Sequence, residues 1–385
     1  MTLRIAIVGH IRHPIAPPFK GGMEAFTHGL ARLLAARGHD VTLLASGDSG
    51  AGLPPGVKLL PICEAHYDAR FPWHDFHGTE ALNDHLDACY ARAARLLLEG
   101  RFDVVHNNAL HRYLPRLSRS ERVPMVTSLH IPPFKVLRGA LMDGAAPWHF
   151  STVVSARQRG IWWPEGAPET AQVVHNGINL SEWSEGGPGD GSAVWAGRIT
   201  PTKGTHLAAE AAQIAGVPLR IYGAVEHQDY FNDMVRPHLY GDVAYVGHLD
   251  TAALGRAYGR ASVALFTPQW EEPFGLAAVE AMATGLPVAA TPHGAVEEVL
   301  GDAGVIAEND SPEALAAALH RALTIPAEVP RARVARLFDA QVMVARFERL
   351  YQGALAQHDV AMPRITYPAI ALQVEAMGQP LAEAG

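Results

Sequence analysis

Short apolar runs alternate with amphipathic stretches from the first residues onward. Ile5–Val8 is a continuous apolar run, and apolar side chains then recur between Phe26 and Leu34 at the spacing of one helix face. Gly38 stands where a glycine commonly ends a helix, and Val41–Ala45 is the next apolar run. A strand–helix–strand unit of this length implies parallel strands joined by a right-handed crossover.

The same alternation continues through both halves of the chain. The further strands that we predict are Val57–Leu60, Val104–His106, Met125–His130, Thr152–Ser155, Val173–His175, Ala193–Trp195, Leu219–Tyr222, Val243–Val246, Val263–Phe266 and Val288–Ala290. The further helices that we predict are Leu82–Leu97, Thr205–Ile214, Tyr230–Leu239, Thr251–Gly259 and Gly275–Thr284. Continuous apolar strands separated by helices are typical of a doubly wound parallel sheet.

The chain divides at a stretch of small and turn-forming residues, SEGGPGDGS, at positions 184–192. Since 385 residues suit two domains, we predict an α/β fold with domains at 1–183 and 193–341. An amphipathic helix at 342–358 is expected to pack back on the first domain, and the tail 359–385 has little periodicity. Two doubly wound domains that face each other leave a cleft at the carboxyl ends of their strands, where ligands bind.

Composition excludes several classes of protein. The chain is 48% hydrophobic and 18% charged, with a formal net charge of -8 and no block of basic residues, which argues against a nucleic-acid partner. Its two cysteines, Cys63 and Cys89, form neither a metal motif nor a disulfide framework. The start, MTLRIAIVGH, lacks the parts of a signal peptide, and no apolar run is long enough for a membrane span. We predict a cytoplasmic protein, with peripheral membrane contact left open.

The strongest chemical signal is the segment WEEPFGLAAVEAMATGLPVAATPHG, which follows the predicted strand at 263–266 directly. Pro273 suits the first turn of a helix, because that position needs no amide donor. The backbone amides of Phe274, Gly275 and Leu276 are then free at a helix N-terminus, which carries partial positive charge and attracts anions. The sequence therefore predicts an anion site at this strand-to-helix junction.

Two carboxylates bracket this predicted helix start. Glu272 stands just before the helix, and Glu280 lies two turns inside it, about 12 Å further along at the rise of an α-helix. Carboxylates so far apart do not share one proton, but they suit the two ends of an extended ligand. Taken alone, both are ordinary solvated helix charges; the surrounding EPFG turn and the small residues that follow favour a functional role.

Other candidate residues also follow predicted strands. Arg198 and Lys203 lie in GRITPTKG after the strand at 193–195, Gly21 and Gly22 lie in the first strand-to-helix loop, and His130 ends the strand at 125–130. Each also has a structural interpretation without function. Arg198 and Lys203 would be surface charges, Gly21 and Gly22 would form an ordinary turn, and His130 would be a hydrogen-bonded histidine at a strand end. Glycines there let backbone approach a phosphate, and an imidazole beside a cleft can donate a hydrogen bond.

Several other catalytic classes are not indicated. The chain has 20 histidines, and His10 and His13 on the first loop are weaker candidates on the acceptor side. There is no H-E-x-x-H motif and no set of histidines and carboxylates at strong ligand spacing, so we predict no metal site. A G-x-S-x-G motif, a P-loop and G-x-G-x-x-G are also absent.

Taken together, these motifs resemble glycosyltransferase family 4, over about residues 3 to 355. The likeness is carried by GGMEAFTHGLARLLAARGHDVTLLASGDS, VVHNGINL, WAGRITPTKGTHLAAEAA and the Glu-x₇-Glu segment. Two departures stand out: Asn179 replaces the usual Asp after Ile, and HGA with Glu297 replaces a common Gly-Gly and Pro before Glu298. The resemblance implies the GT-B fold, two Rossmann-like domains facing across a cleft. It is closest to a bacterial subgroup labelled UDP-glucose:tetrahydrobiopterin glucosyltransferase-like.

The resemblance also implies a role for each candidate residue. Glu272 should contact the hydroxyls of the donor sugar, and Glu280 those of the ribose. Arg198 and Lys203 should bind the diphosphate, with backbone amides of the PFGL turn, while His130 should lie near the sugar and phosphate. An Arg fork and a Lys charge both suit a leaving group that gains negative charge.

The expected function is therefore that of a retaining glycosyltransferase that moves a sugar from a nucleoside diphosphate sugar, with UDP favoured, to an acceptor hydroxyl. We expect no metal and no cofactor, since the sugar nucleotide is itself a substrate. Two alternatives stay open from the sequence: a GT-B epimerase that acts on the donor alone, and a non-catalytic protein that binds nucleotide sugars.

Overall fold

The computed structural model describes residues 2–183 and 186–361. Its first sheet has seven parallel strands in the order β3-β2-β1-β4-β5-β6-β7. These strands are β1 (Arg4–Val8), β2 (Asp40–Ser46), β3 (Val57–Cys63), β4 (Val104–Asn107), β5 (Met125–Leu129), β6 (His149–Val153) and β7 (Ala171–Val173). The order reverses between β1 and β4, and such a reversal places a crevice at the carboxyl ends of the two strands.

The second sheet repeats this design with six parallel strands in the order β10-β9-β8-β11-β12-β13. They are β8 (Ala193–Ala196), β9 (Leu219–Tyr222), β10 (Val243–Gly247), β11 (Val263–Phe266), β12 (Val288–Ala290) and β13 (Gly304–Ile306). Here the order reverses between β8 and β11. The two loops that carry Lys203 and Glu272 follow these strands, so the topology brings them side by side.

Helices cover both faces of each sheet. In the described residues they are α1 (Gly22–Ala36), α2 (Trp73–Phe76), α3 (Glu80–Glu99), α4 (Tyr113–Ser120), α5 (Lys135–Asp143), α6 (Ala156–Trp162), α7 (Thr205–Ala215), α8 (Gln228–Tyr230), α9 (Thr251–Tyr258), α10 (Leu276–Ala283), α11 (Val296–Leu300), α12 (Pro312–Ala322), α13 (Glu328–Leu337) and α14 (Ala340–Ala361). The helix predicted at 230–239 is wrong as a regular element. It is α8, then a π-helical stretch and a 3₁₀ turn that contains Pro237, which has no amide to donate.

The last helix belongs to the core of the first domain. On α14, Phe347 and Tyr351 are buried in the same apolar cluster as Ile5 and Leu30, and the Tyr351 hydroxyl lies 2.7 Å from Nδ1 of the buried His106. The opposite face of this sheet is covered by α3 to α6. Within the predicted linker and tail, residues 184–185 and 362–385 lie outside the described residues.

A cleft of about 760 Å³ opens between the two sheets, with walls from both domains. Its lining includes parts of α1 and the ends of β5 and β7 from the first domain, and the loop after β8 and the start of α10 from the second. Among the helices of the described residues, none combines the length and apolar character that crossing a bilayer requires.

Candidate active site

The N-termini of two helices face each other across the cleft. In the first domain α1 begins at Gly22, after the extended residue Gly21, and in the second domain α10 begins at Leu276. A methyl group built on Gly22 would lie 3.8 Å from Cδ1 of Leu276, so the two helix starts approach each other closely. Both helix ends carry partial positive charge, so the gap between them favours an anion.

The start of α10 differs in detail from the sequence prediction. Gly275, with φ +98°, is the residue that caps the helix, so Pro273 lies before the helix and its expected place in the first turn is wrong. A Cβ on Gly275 would come within 2.9 Å of the Phe266 ring, which leaves room for glycine alone. Phe274 is buried, and its ring contacts Phe338. Because the first bond back to Gly275 comes from the third residue of α10, the two amides before it are free of intrahelical partners.

Lys203 and Glu272 form a partly buried ion pair at this helix start. Lys203 Nζ donates to Glu272 Oε2 at 2.6 Å, and Trp270 Nε1 donates to the same oxygen at 2.9 Å. The Lys203 and Glu272 side chains are 21% and 10% exposed. The hydroxyl of Thr267, at the end of β11, donates to the Lys203 carbonyl at 2.8 Å and so ties the two loops together. The pair is therefore held in place before any ligand arrives.

Arg198 lies on the same cleft wall in a looser setting. Its guanidinium donates to Glu226 at 2.9 Å, and its side chain is 63% exposed. Exposed pairs of this kind contribute little to stability. Breaking the Arg198–Glu226 pair to bind an anion therefore costs little free energy. Lys203, in contrast, is already held at the start of α10 by Glu272.

Glu280 lines the cleft without an ionic partner among the described residues. Burial raises its pKa to about 7, and the nearby carboxylate of Glu182 adds to the rise. A carboxyl group with this pKa changes charge near neutral pH. Glu280 is therefore partly protonated near neutral pH, whereas Glu272 is held in an ion pair with Lys203.

His130 follows β5 and lines the cleft from the first domain. Burial lowers its pKa to about 4, so the imidazole is neutral at pH 7. Its Nε2 is buried and has no hydrogen-bond partner among the described residues, while its ring packs edge-on against Phe26. An unpartnered buried ring nitrogen is costly unless a ligand satisfies it.

Asn176 is a cleft residue that the sequence analysis did not single out as part of the site. It lines the same cleft, and its Oδ1 is also buried and lacks a partner in the described part of the chain. The available signal was its position in the loop that follows β7, as His130 stands in the loop that follows β5. Gly21, His10 and His13 are not among the residues that line the cleft, although Gly21 neighbours Gly22 in the same loop.

Glu298 acts at the boundary between the domains. It accepts hydrogen bonds from the amides of Ala156 and Arg157 at the start of α6 and lies 2.8 Å from His175 Nε2. Burial opposes its ionisation, but the hydrogen bonds from His175 and the two amides outweigh it and lower the pKa. Ser155 also donates to the Pro273 carbonyl at 2.8 Å. These bonds join α6 to the turn that carries Glu272.

Among residues 2–183 and 186–361, no three or more His, Cys, Asp or Glu side chains are grouped in a way that would hold a metal ion. The charged and polar side chains of the cleft lining include instead the cations Arg32, Arg198 and Lys203, the carboxylates Glu182, Glu272 and Glu280, and the imidazoles His28 and His130, beside the helix-start amides. This set pairs cationic donors for a charged ligand with carboxylates for hydroxyl groups.

Comparison with known proteins identifies both halves of the chain. Residues 20–182 match the family model described as Glycosyltransferase Family 4, and residues 188–335 match Glycosyl transferases group 1. The chain is 28% identical to glycogen synthase of Mycobacterium tuberculosis, over 91% of this chain and 95% of that protein.

Solved structures show the same architecture. Sucrose-phosphate synthase from Thermosynechococcus elongatus is 20% identical with a TM-score of 0.72, over 91% of this chain and 99% of that one. Anabaena HepE in complex with UDP-glucose is 17% identical with a TM-score of 0.68, over 91% and 99%. The two facing parallel-sheet domains are the GT-B fold that the sequence predicted. With one family model on each domain and a glycosyltransferase relative along nearly its whole length, this chain belongs to glycosyltransferase family 4.

Proposed function

We propose that this glycosyltransferase takes its sugar from a nucleoside diphosphate sugar, with UDP as the favoured nucleotide, and retains the anomeric configuration. It acts in the cytoplasm without a metal ion or a cofactor. The observation that carries the proposal is the convergence of two helix N-termini and the Lys203–Glu272 pair in one cleft. A cleft of about 760 Å³ lies within the size range of small-molecule sites.

The proposed pose follows from charge. The diphosphate lies between the starts of α1 and α10, where Lys203 and Arg198 neutralise it. Glu272 accepts from the sugar hydroxyls, and Glu280, about two helical turns away, accepts from the ribose hydroxyls. The likeness in fold to HepE, which holds UDP-glucose, supports a sugar nucleotide in this cleft.

The proposed reaction breaks the bond between the anomeric carbon and the diphosphate oxygen and forms a bond to the acceptor oxygen on the same face. The bonding electrons leave with the diphosphate, whose oxygen takes the proton of the acceptor hydroxyl. The sugar passes through an oxocarbenium-like state. Lys203, Arg198 and the helix-start amides stabilise the charge on the leaving group, and neutral His130 donates to a donor oxygen. Domain closure keeps water from the reactive sugar.

A nucleotide panel tests the donor. Thermal unfolding with UDP, GDP, ADP and dTDP at equal concentration should give the largest stabilisation for UDP, on the order of 2.7 kcal/mol at 100 times its dissociation constant. Arg198→Ala should reduce the thermal stabilisation by every nucleotide, because the substitution removes a contact with the diphosphate and none with the base. A larger shift with another nucleotide contradicts the UDP preference, and no shift with any nucleotide contradicts the proposal as a whole.

Product analysis separates transfer from the two alternatives. NMR should show a product with the anomeric configuration of the donor, and the rate should be unchanged by a metal chelator. An epimer formed from donor alone would favour the epimerase, and tight donor binding without turnover across an acceptor panel would favour a binding protein. Membership of family 4 favours transfer over both. A pterin acceptor, suggested by the subgroup resemblance, belongs in that panel.

A further inference from the structure

The outer face of α5 is unusual for a surface helix. Its inner face buries Leu137 and its neighbours on the next turn, as an amphipathic helix should. On the outer face, however, Val136 and Met142 are 52% and 68% exposed, and Phe134 at the N-cap is 40% exposed. Exposed apolar side chains grouped on one short helix indicate a contact surface rather than random surface composition.

Charge is also segregated in this part of the chain. Between positions 112 and 162 the sequence has eight Lys or Arg and two Asp or Glu, a net charge of +6. Because the whole chain carries -8, all other positions together carry -14. A basic segment in an otherwise acidic protein produces a local positive field, which attracts an anionic partner.

Some of these cations are already paired. Arg112 pairs with Asp87, Arg116 with Asp143, and Arg157 with Glu271. Arg119, Lys135, Arg138 and Arg159 are exposed and form no ion pair with other described residues. The unpaired positive charge is thus concentrated on α4, α5 and α6.

The helices that carry these residues share one face of the first domain. The Arg116–Asp143 ion pair joins α4 to α5, and Gly144 packs against the backbone of Pro115. Trp162 of α6 is buried in the same cluster as Leu137 and Leu141 of α5. We name the exposed residues Phe134, Lys135, Val136, Arg138 and Met142, with Arg119 of α4, the basic apolar face.

We propose that the basic apolar face docks on an anionic lipid bilayer. Phe134, Val136 and Met142 would enter the interfacial layer, while Arg119, Lys135 and Arg138 contact lipid phosphates. Interfacial helices bind membranes through this combination of apolar burial and basic charge. A nucleic acid would use the cations but gain nothing from the three exposed apolar side chains.

Docking at this face places the cleft beside the bilayer. The N-cap of α5, Phe134, lies four residues after His130, which lines the cleft. The proposal does not depend on the donor chemistry, because none of the residues in the basic apolar face lines the cleft.

Vesicle flotation of the full chain tests the proposal. Vesicles of phosphatidylcholine with about 30 mol% phosphatidylglycerol should bind the protein at about 100 mM salt, and pure phosphatidylcholine should not, because each basic residue near an anionic surface contributes attraction. The double variant Val136→Asp/Met142→Asp should lose binding. Lys135→Glu/Arg138→Glu should bind at least about tenfold more weakly, and its remaining binding should depend less on salt.

The matched control is Ile214→Asp on α7 of the second domain, where the side chain is 53% exposed. It should float like the unmodified chain. All variants change exposed positions, and unchanged thermal unfolding with and without UDP verifies that they fold. No binding to the anionic vesicles, binding that both double variants retain, or equal loss in Ile214→Asp would overturn the proposal. Binding to a DNA duplex or an acidic protein but not to vesicles would do so as well.

Discussion

The two glutamates of the Glu-x₇-Glu motif lie in one cleft but in opposite surroundings. Glu272 receives hydrogen bonds from Lys203 and Trp270, so its charge is neutralised within the protein. Glu280 forms no ion pair with another described residue, and burial with the nearby Glu182 raises its pKa to about 7. The motif spacing sets the positions of both carboxylates, but their partners decide what each one does.

This difference separates two kinds of site. The region around Glu272 is preorganised, because Lys203 is held by a carboxylate, an indole and its own loop before ligand binds. The region around Glu280 is poised, because its carboxyl group ionises fully only when pH rises or when a ligand stabilises the charge. A fixed cation suits the charge that develops in a reaction, whereas a poised carboxylate couples binding to pH.

The largest effect is expected from breaking the preorganised region. Lys203→Ala should lower kcat/KM for release of nucleotide from the donor by about 10²–10³-fold, as for loss of one preorganised donor. Lys58→Ala is the control, because Lys58 also pairs with a carboxylate, Asp40, but lies on the exposed surface. Initial rates of nucleotide release measure both variants. A Lys203→Ala enzyme within a few-fold of the unmodified rate would show that the pair is structural.

The next prediction concerns the backbone that aims the start of α10. Gly275→Ala forces an L-residue to φ +98° against the Phe266 ring, so the free energy of unfolding should fall by about 1–3 kcal/mol. Gly139→Ala, in the middle of α5 with open space around it, should instead stabilise the chain by about 0.5–1 kcal/mol. Urea unfolding gives both values. Equal and small changes in the two variants would remove the strain argument.

The fold was predictable where local patterns are strong. Apolar runs such as Val263–Phe266 are buried on both sides, which gives them an unbroken hydrophobic signature. The strand β13, Gly304–Ile306, was missed, and so were the helices α2, α4, α5, α6, α11, α12 and α13. In β13 and α6, with 3 and 7 residues, the element is too short to establish a period. The predicted strand Thr152–Ser155 lies earlier, at His149–Val153, since Ser155 caps α6 instead.

The site was predictable in position but not in chemistry. Residues after strands must meet at the carboxyl edge of a parallel sheet, so Lys203, Glu272 and His130 fall in one cleft. Their partners come from other loops. The pairing of Lys203 with Glu272 spans 69 positions, and no local pattern encodes it. The buried Oδ1 of Asn176, which has no partner in the described part of the chain, was missed for the same reason.

Glu280→Gln tests the poised region. The pKa of Glu280 lies above its usual 4.5, so between about pH 4.5 and 7 the folded state binds more protons than the unfolded state and stability falls as pH rises. Glu280→Gln should therefore raise Tm at pH 8 but not at pH 4.5.

Donor affinity of the unmodified chain should increase from pH 6 to 8, and the variant should lose this rise and bind about tenfold more weakly at pH 8. Calorimetry checks both, with the exposed Glu99→Gln as control; a pH dependence that persists in Glu280→Gln would assign it elsewhere.

The smallest effect should come from Glu298, a carboxylate with the opposite pH sign. Its pKa is lowered, so its contribution is present above the unfolded value and is lost as pH falls through the folded one. Glu298→Gln keeps an oxygen for the α6 amides but loses the charge beside His175, and it should lower the free energy of unfolding at pH 7.5 by about 1 kcal/mol. That deficit should shrink toward pH 4, and donor affinity should stay within a few-fold. Urea unfolding at the two pH values measures it, with Glu280→Gln moving the other way in the same assay. If Glu298→Gln instead reproduced the rise in Tm at pH 8, burial alone would govern both carboxylates, and the distinction between paired and unpaired glutamates in this domain would fail.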